Sequence, residues 1–344
     1  MARIVLADDG IEFDGRTPEE RPLGGAESSL VFLMETLAAR GHEVSVHNNC
    51  QASLVHKDVT WAPLKAGMPD KADLFIANRG DKVLPLVPKA GRTVFWTHNP
   101  ATYMVKWRYL SKLWKYADAI VFIGDYHATT YPRWCPVKNR VVIPYGLPDD
   151  FCNAQPAVAP PGPRAVFSSN PLRGLDWLLD RWSRDIQPRV PRAELVLFTG
   201  AAVYGSAGAA KADPMAKVLD KAKSLEEKGV RLPGPVPKQR LIDEFRQARC
   251  MLYRGDINET FCMAVGEAQA MGMPAVVTDL GSMRERVIDG ETGFVARDDQ
   301  AFADAAVKLL SDDALWSAQQ AAALEKQRSW RWPEAAEAWE RLLP

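Results

Sequence analysis

Short apolar runs and amphipathic stretches take turns along this chain. The runs at residues 4–7, 43–47, 73–77, 93–97, 119–123 and 141–144 are rich in β-branched or aromatic residues and read as strands. Residues 28–40 and 105–117 carry the 3.6-residue period of a helix. Near-continuous apolar strands between helices imply a parallel sheet covered on both faces. Residues 149–163 are rich in proline and alanine, which disfavours regular structure. The alternation then restarts, with strands expected at 165–168, 194–199, 250–253 and 275–278. Helices are expected at 175–184, 214–228, 238–247 and 261–271. The pattern predicts an α/β chain of two doubly wound, Rossmann-like domains facing a central cleft. They span residues 1–150 and 164–328, with a linker at 151–163 and a terminal helix within 329–344. No tandem repeat interrupts the two similar halves.

Size and composition narrow the function. A chain of 344 residues has room for two full-sized cores, and 47% apolar with 25% charged residues is globular. Lys+Arg and Asp+Glu both number 43, which argues against a general basic coat for nucleic acid. The five cysteines are odd in number and form no C-x-x-C pair, against both a disulfide framework and a structural zinc site. No His/Cys/Asp cluster has ligand spacing, so no dedicated metal site is expected. The first residues read as a strand without the apolar core of a signal peptide, and no run approaches the ~20 apolar residues of a membrane span. A reducing, cytoplasmic setting is expected.

Several residues have the chemistry and position of a ligand site. Glu259 follows a strand and the polar loop 254–258, and Glu267 lies about two turns into the next expected helix. At ~1.5 Å per residue the two positions are roughly 12 Å apart. That suits a folded nucleotide-diphospho-sugar, with phosphates over the helix N-terminus; the plain alternative is a loop acid and a solvated helix acid. Gly24-Gly25 precedes the first long helix, where paired glycines admit a close backbone approach or simply make a helix-entry turn. His98 ends the 93–97 strand and reads either as a donor to developing charge or a sugar hydroxyl, or as a hydrogen bond closing its loop. Arg173, between strand and helix, can fork onto phosphate or be a surface arginine. The absence of G-x-G-x-x-G after the first strand disfavours a nicotinamide or flavin enzyme.

The stretch 103–117 is basic and aromatic. Tyr103, Trp107, Leu110 and Trp114 recur at helical spacing, with Lys106, Arg108, Lys112 and Lys115 largely off that stripe. From residue 89 to 140 there are nine basic residues against two acidic. The favoured reading is a core-packing stripe with a solvated basic back. The other is a patch for an anionic acceptor or a membrane surface.

Taken together, these residues resemble the family 4 glycosyltransferases with the two-domain B-type fold, over nearly the whole chain. Gly24-Gly25-Ala26-Glu27 through Arg40-Gly41-His42-Glu43-Val44 is similar to the family's G-G-x-E…L-x-x-R-G-H-E-V opening. Ile143-Pro144-Tyr145-Gly146 resembles its I-P-x-G run. Glu259 to Glu267 with Ala268-Gln269-Ala270-Met271-Gly272 resembles the donor signature, in an E-T-x-C…E-A-Q-A-x-G form of a bacterial subgroup. Gly281, Glu285 and Asp289-Gly290-Glu291-Thr292-Gly293 resemble the tail motif.

The resemblance implies transfer from a UDP-, GDP- or ADP-sugar to a glycan or lipid-linked acceptor, with retention and without an essential metal or other cofactor. The implied chemistry is front-face displacement through an oxocarbenium-like state. Glu259 would hold sugar hydroxyls, and the Thr260-Phe261-Cys262-Met263 backbone would touch sugar or diphosphate. Glu267 would take the ribose and His98 would face the donor sugar, while Gly24 and Gly25 would line the diphosphate and acceptor side. The terminal helix would pack back on the first domain. Apart from the resemblance, the basic 103–117 helix extends the expected cytoplasmic location to one peripheral to the inner membrane face. One departure stands out: the family places two cations on the diphosphate, and here Arg173 fills the second position while Asn170 or Ser168 stands at the first. That keeps two alternatives open, a catalytically impaired nucleotide-sugar binding protein and a sugar-nucleotide epimerase or hydrolase of the same fold.

Overall fold

A computed structural model describes residues 1–21, 23–200 and 212–344. Its chain forms two compact units, one of Met1–Gly146 with Trp332–Pro344, the other of Leu147–Arg331.

The first unit is built on eight strands: β1 (Arg3–Asp8), β2 (Glu43–Asn48), β3 (Leu54–His56), β4 (Val59–Pro63), β5 (Lys71–Asn78), β6 (Lys89–Trp96), β7 (Ala119–Phe122) and β8 (Arg140–Val142). Their order is β3-β4-β2-β1-β5-β6-β7-β8, parallel except for the β3–β4 hairpin. Val5, Ala7, Phe75, Ala77, Phe95 and Phe122 point into one apolar cluster. The alternate residues Ile4, Leu6, Leu74, Ile76 and Val94 are equally buried, so both faces are covered.

The second unit carries β9 (Arg164–Phe167), β10 (Glu194–Leu197), β11 (Val230–Arg231), β12 (Cys250–Tyr253), β13 (Ala275–Thr278) and β14 (Gly293–Ala296). Their order is β11-β10-β9-β12-β13-β14, all parallel. Both sheets reverse their direction of winding once, between β1 and β5 in the first and between β9 and β12 in the second. Such switch points leave a crevice at the carboxyl ends of the strands. The expected α/β class, two Rossmann-like parallel sheets, holds.

Four strands escape the sequence pattern. The β3–β4 hairpin turns at Lys57 and Asp58, which both adopt positive φ (45° and 60°) without the Asn-Gly that usually marks such a turn. Strand β11 is two residues long, and β14 begins on Gly293, which pairs with Ala275.

The 103–117 stretch is the clearest correction. A 3₁₀ turn, Ala101–Val105, precedes a helix over Trp107–Tyr116. That helix buries Tyr109 and Leu113, while Trp107 and Trp114 are 79% and 63% exposed. Of the expected core stripe, Trp107 and Trp114 therefore face outward, while Tyr103 and Leu110 pack against the apolar cluster. Lys112 and Arg108 are drawn to Asp81, at 2.7 and 3.6 Å.

The proline-rich segment is held rather than loose. Asp149–Asn153 is a short helix. Beyond it Arg328, Arg246, Gln320 and Arg249 donate to the carbonyls of Ala154, Gln155, Ala157 and Pro161 at 2.7–3.0 Å.

The final helix, Trp332–Glu340, packs on the Gly25–Ala39 helix of the first unit. Trp332 meets Phe32, and Trp339 meets Trp96 edge-on. Arg40 donates twice to Glu340, at 2.6 and 2.7 Å, and His42 Nε2 lies 3.0 Å from the same carboxylate. Bonding to Arg40, then His42, lowers the Glu340 pKa to about 2 against the opposing pull of partial burial. The R-G-H run thus works as a clamp on the returning helix.

Candidate functional site

At the switch point of the first sheet, polar side chains form one connected chain. Asp8 ends β1 and Asn78 ends β5. Asn78 Nδ2 donates to Asp8 Oδ1 at 2.7 Å, which leaves Asn78 Oδ1 to accept from His98 Nε2 at 2.6 Å. His98 Nδ1 is then the acceptor for the Tyr145 hydroxyl. Burial, then the charge of Arg79, pushes the His98 pKa well below its usual value, so the ring is neutral with its proton on Nε2. His98 is 4% exposed and both its nitrogens are occupied. Its sequence position allowed either a donor to ligand or a structural hydrogen bond; here it is the hub of a buried network.

The chain continues through Arg79, a non-glycine residue at φ 57° just past β5. Its guanidinium donates to Asp8 at 3.1 Å and to Glu27 at 2.8 Å. Burial opposes its charge, but Asp8 and Glu27 outweigh that and raise its pKa. Glu27 folds back over the start of its own helix, where a Cβ on Gly24 would meet its Oε2 at 2.4 Å. A Cβ on Gly25 would meet nothing within 4 Å, so that backbone face is open. A side chain at Gly24 would displace the end of Glu27 from this place, whereas Gly25 is exposed.

The switch point of the second sheet has a different character. Arg173 follows β9, and its Nη1 lies 3.4 Å from Glu259 and 3.6 Å from Asp256. The Tyr253 hydroxyl, at the end of β12, donates to Glu259 Oε2 at 2.7 Å. Burial alone would lower the Arg173 pKa; Glu259, Tyr253 and Asp256 reverse that and raise it. Arg173 Nη1 is nonetheless buried without a hydrogen-bond partner. Gly174, at φ 78°, starts the next helix, and a Cβ there would sit 2.9 Å from the Arg254 side chain. Arg254 lies over the Trp177 ring at 5.5 Å and has no acidic partner within 4 Å among the described residues. Arg173 and Arg254 therefore flank the same turn.

The donor-loop residues take up defined places. The helix begins at Met263, not 261, so Glu267 lies about one turn in rather than two. Glu267 pairs with Lys238 at 2.6 Å. Thr260, Phe261 and Cys262 are all buried. Cys262 is left-handed at φ 63°. Burial, then Glu259, pushes its thiol pKa well up, so it is an unreactive thiol. Arg286 covers the Phe261 ring at 4.2 Å. Asn170 does not stand in for a cation: its Oδ1 accepts from the Leu172 N–H at 2.9 Å and shapes the turn that presents Arg173.

Asp8, Asn78, Arg79, Tyr253, Lys238 and Arg286 were not anticipated. Position carried a usable signal for three of them, since Asp8, Asn78 and Tyr253 are the last residues of strands flanking a switch point.

Residues 163–312, which hold the whole second sheet, match the family described as Glycosyl transferases group 1. A D-inositol 3-phosphate glycosyltransferase of Corynebacterium urealyticum is 36% identical over 110 residues, 29% of this chain and 26% of that protein. A lipopolysaccharide 1,2-N-acetylglucosaminetransferase of Salmonella typhimurium is 26% identical over 185 residues, 51% of this chain and 48% of that protein. The chain thus spans about a quarter to a half of these curated relatives. Among solved structures, the sucrose-phosphate synthase of Thermosynechococcus elongatus superposes with a TM-score of 0.74 at 18% identity, covering 98% of this chain and 97% of that one. Anabaena HepE, in complex with UDP and glucose, gives 0.74 at 15% identity, covering 100% and 99%. The chain has the two-Rossmann-domain fold of B-type glycosyltransferases. At these identities the likeness establishes the fold alone.

Proposed function

We propose that this chain is a retaining glycosyltransferase that moves a sugar from a nucleotide-diphospho-sugar to a glycan or lipid-linked acceptor, without an essential metal or other cofactor. The observation that carries the reading is the pair of arginines, Arg173 and Arg254, flanking one turn at the switch point of the second sheet beside Glu259. A leaving diphosphate develops charge that fixed cations and helix N–H groups can stabilise, at ~2–4 kcal/mol per donor. Arg254 supplies the second cation that Asn170 does not. Glu259, oriented by Tyr253, takes sugar hydroxyls. The backbone from Thr260 to Met263 meets sugar or phosphate at the start of the Met263–Ala270 helix. Glu267 takes the ribose, with Lys238 as its present partner. On the first unit, the open backbone at Gly25 serves the diphosphate or acceptor, and His98 acts as a fixed neutral group facing the sugar.

The match of residues 163–312 to a glycosyltransferase family supports the reaction class, and the named relatives support it further. That HepE is solved with UDP and with UDP-glucose supports a nucleotide-sugar donor, with uridine as the first base to try. Incubation with UDP-, GDP- and ADP-sugars, each with and without acceptor and EDTA, tests the proposal. A glycoside with the donor's anomeric configuration, formed equally in EDTA, is the expected product. Free sugar or an epimerised donor as the only product would replace it with hydrolysis or epimerisation. Donor binding without turnover across acceptors would favour a binding protein, the reading that Asn170 motivates.

A further inference from the structure

The outward face of the Trp107–Tyr116 helix plays no part in the chemistry proposed above. It carries Trp107 and Trp114, two turns apart on one side and both largely exposed, with Ser111 between them. Seven residues of helix put the two rings ~10 Å apart along the axis. The opposite side is fixed: Tyr109 and Leu113 are buried, with Tyr109 against Phe95 and Tyr103. The tryptophans are therefore held out by a docked helix.

The charges around them are of one sign. Lys106 and Lys115 have no acidic partner within 4 Å among the described residues, and Lys115 lies along the Tyr116 ring. The nearest paired cations, Arg108 and Lys112, share Asp81. No acidic residue occurs from residue 103 to 117. A third exposed tryptophan, Trp134 at 70%, follows Arg133. Its neighbours Tyr131 and Cys135 pack in the same apolar cluster as Tyr109 and Leu113, so it lies on the same side of the sheet.

We infer that this face docks on an anionic lipid surface. Tryptophan seats its amphipathic ring at the headgroup level, and unpaired lysines beside it meet lipid phosphates. A soluble glycan fits less well, because Asp81, the carboxylate paired with this helix, is already taken by two cations and residues 103–117 carry no amide or acid side chain to receive hydroxyls. The Trp107–Tyr116 helix is too short to span a bilayer, and no helix among the described residues is long and apolar enough to do so. The contact is flat and peripheral. It stands independently of the transfer reaction.

Co-sedimentation of the full chain with vesicles tests this, using phosphatidylcholine alone and mixed in equal parts with phosphatidylglycerol. Binding to the mixed vesicles, weaker on phosphatidylcholine and falling with salt, is expected. The K106Q/K115Q variant should bind about thirtyfold more weakly, taking about fivefold per lysine. The W107A/W114A variant should lose binding and also the wild type's quenching by brominated lipid. Both variants should keep the wild-type unfolding temperature, since all four side chains are exposed. Equal binding to both vesicle types, or full binding by the tryptophan variant, would overturn the inference. So would a dimer that W107A/W114A dissociates in the absence of vesicle binding, or binding to a soluble anionic glycan alone.

Discussion

The two switch points place polar groups at equivalent positions in similar sheets and use them in opposite ways. At the first, Tyr145, His98, Asn78, Asp8, Arg79 and Glu27 satisfy one another in sequence, and the arginine sits between two carboxylates. At the second, Arg173 has a buried nitrogen without a hydrogen bond, and Arg254 lies over the Trp177 ring with no acidic partner within 4 Å among the described residues. A buried network that is complete fixes geometry and contributes to stability. A cluster with spare donor capacity contributes less to fixing its own geometry. The first end is self-satisfied, and the second is the end at which the proposed anionic donor would gain most.

That contrast predicts which mutations damage what. The largest effect belongs to Arg173→Ala, which should lower kcat by about 10²–10³-fold while the unfolding temperature stays near wild type. Arg254→Ala should follow, with a smaller loss of kcat, and N170R should restore part of it if Arg254 supplies the missing cation. A measured kcat for the double variant no better than for Arg254→Ala would remove Arg254 from that role. At the first switch point the order reverses. Asn78→Ala removes the buried hydrogen bond from His98 Nε2 and one of those to Asp8, and should cost about 1–3 kcal/mol of stability by denaturant unfolding. A variant as stable as wild type but inactive would break the comparison.

The smallest effect is expected at the clamp on the terminal helix. Glu340→Gln removes an ion pair of which both members are partly exposed, and should cost about 1 kcal/mol. The folded pKa of Glu340 is depressed to about 2, chiefly by Arg40. Its stabilisation is therefore present above the ordinary glutamate range and is lost as pH falls from there towards 2. The stability of E340Q should accordingly converge on wild type in that acid window. A gap that stays constant with pH would assign the contact to packing.

Much of this architecture was written in the apolar pattern. Strands β12 and β13 coincide with their expected runs, because both are short, apolar and almost wholly buried. The β3–β4 hairpin was hidden because Lys57-Asp58 carries no turn signature. The Trp107–Tyr116 helix shows a different limit. Periodicity reveals a stripe, but here two stripes compete, and the one of Tyr109 and Leu113 took the core. At the candidate site, Arg173 and Glu259 fall in the expected loops and lie 3.4 Å apart. Asp8 and Asn78 were not legible, since they stand seventy residues apart and only adjacent pairing of β1 with β5 joins them. Asn170 drew notice as a missing cation, whereas its observed task is a turn.

The most direct test of the proposed donor site is a thermal-shift measurement with UDP-, GDP- and ADP-sugars on wild type, Arg173→Ala and Glu267→Ala, with and without EDTA. A ligand at a hundred times its Kd should add about 2.7 kcal/mol of stability. A shift with one nucleotide class, unchanged by EDTA and lost in both variants, is the predicted result. No shift with any nucleotide-sugar in the folded wild type, or a shift that both variants retain, would contradict it.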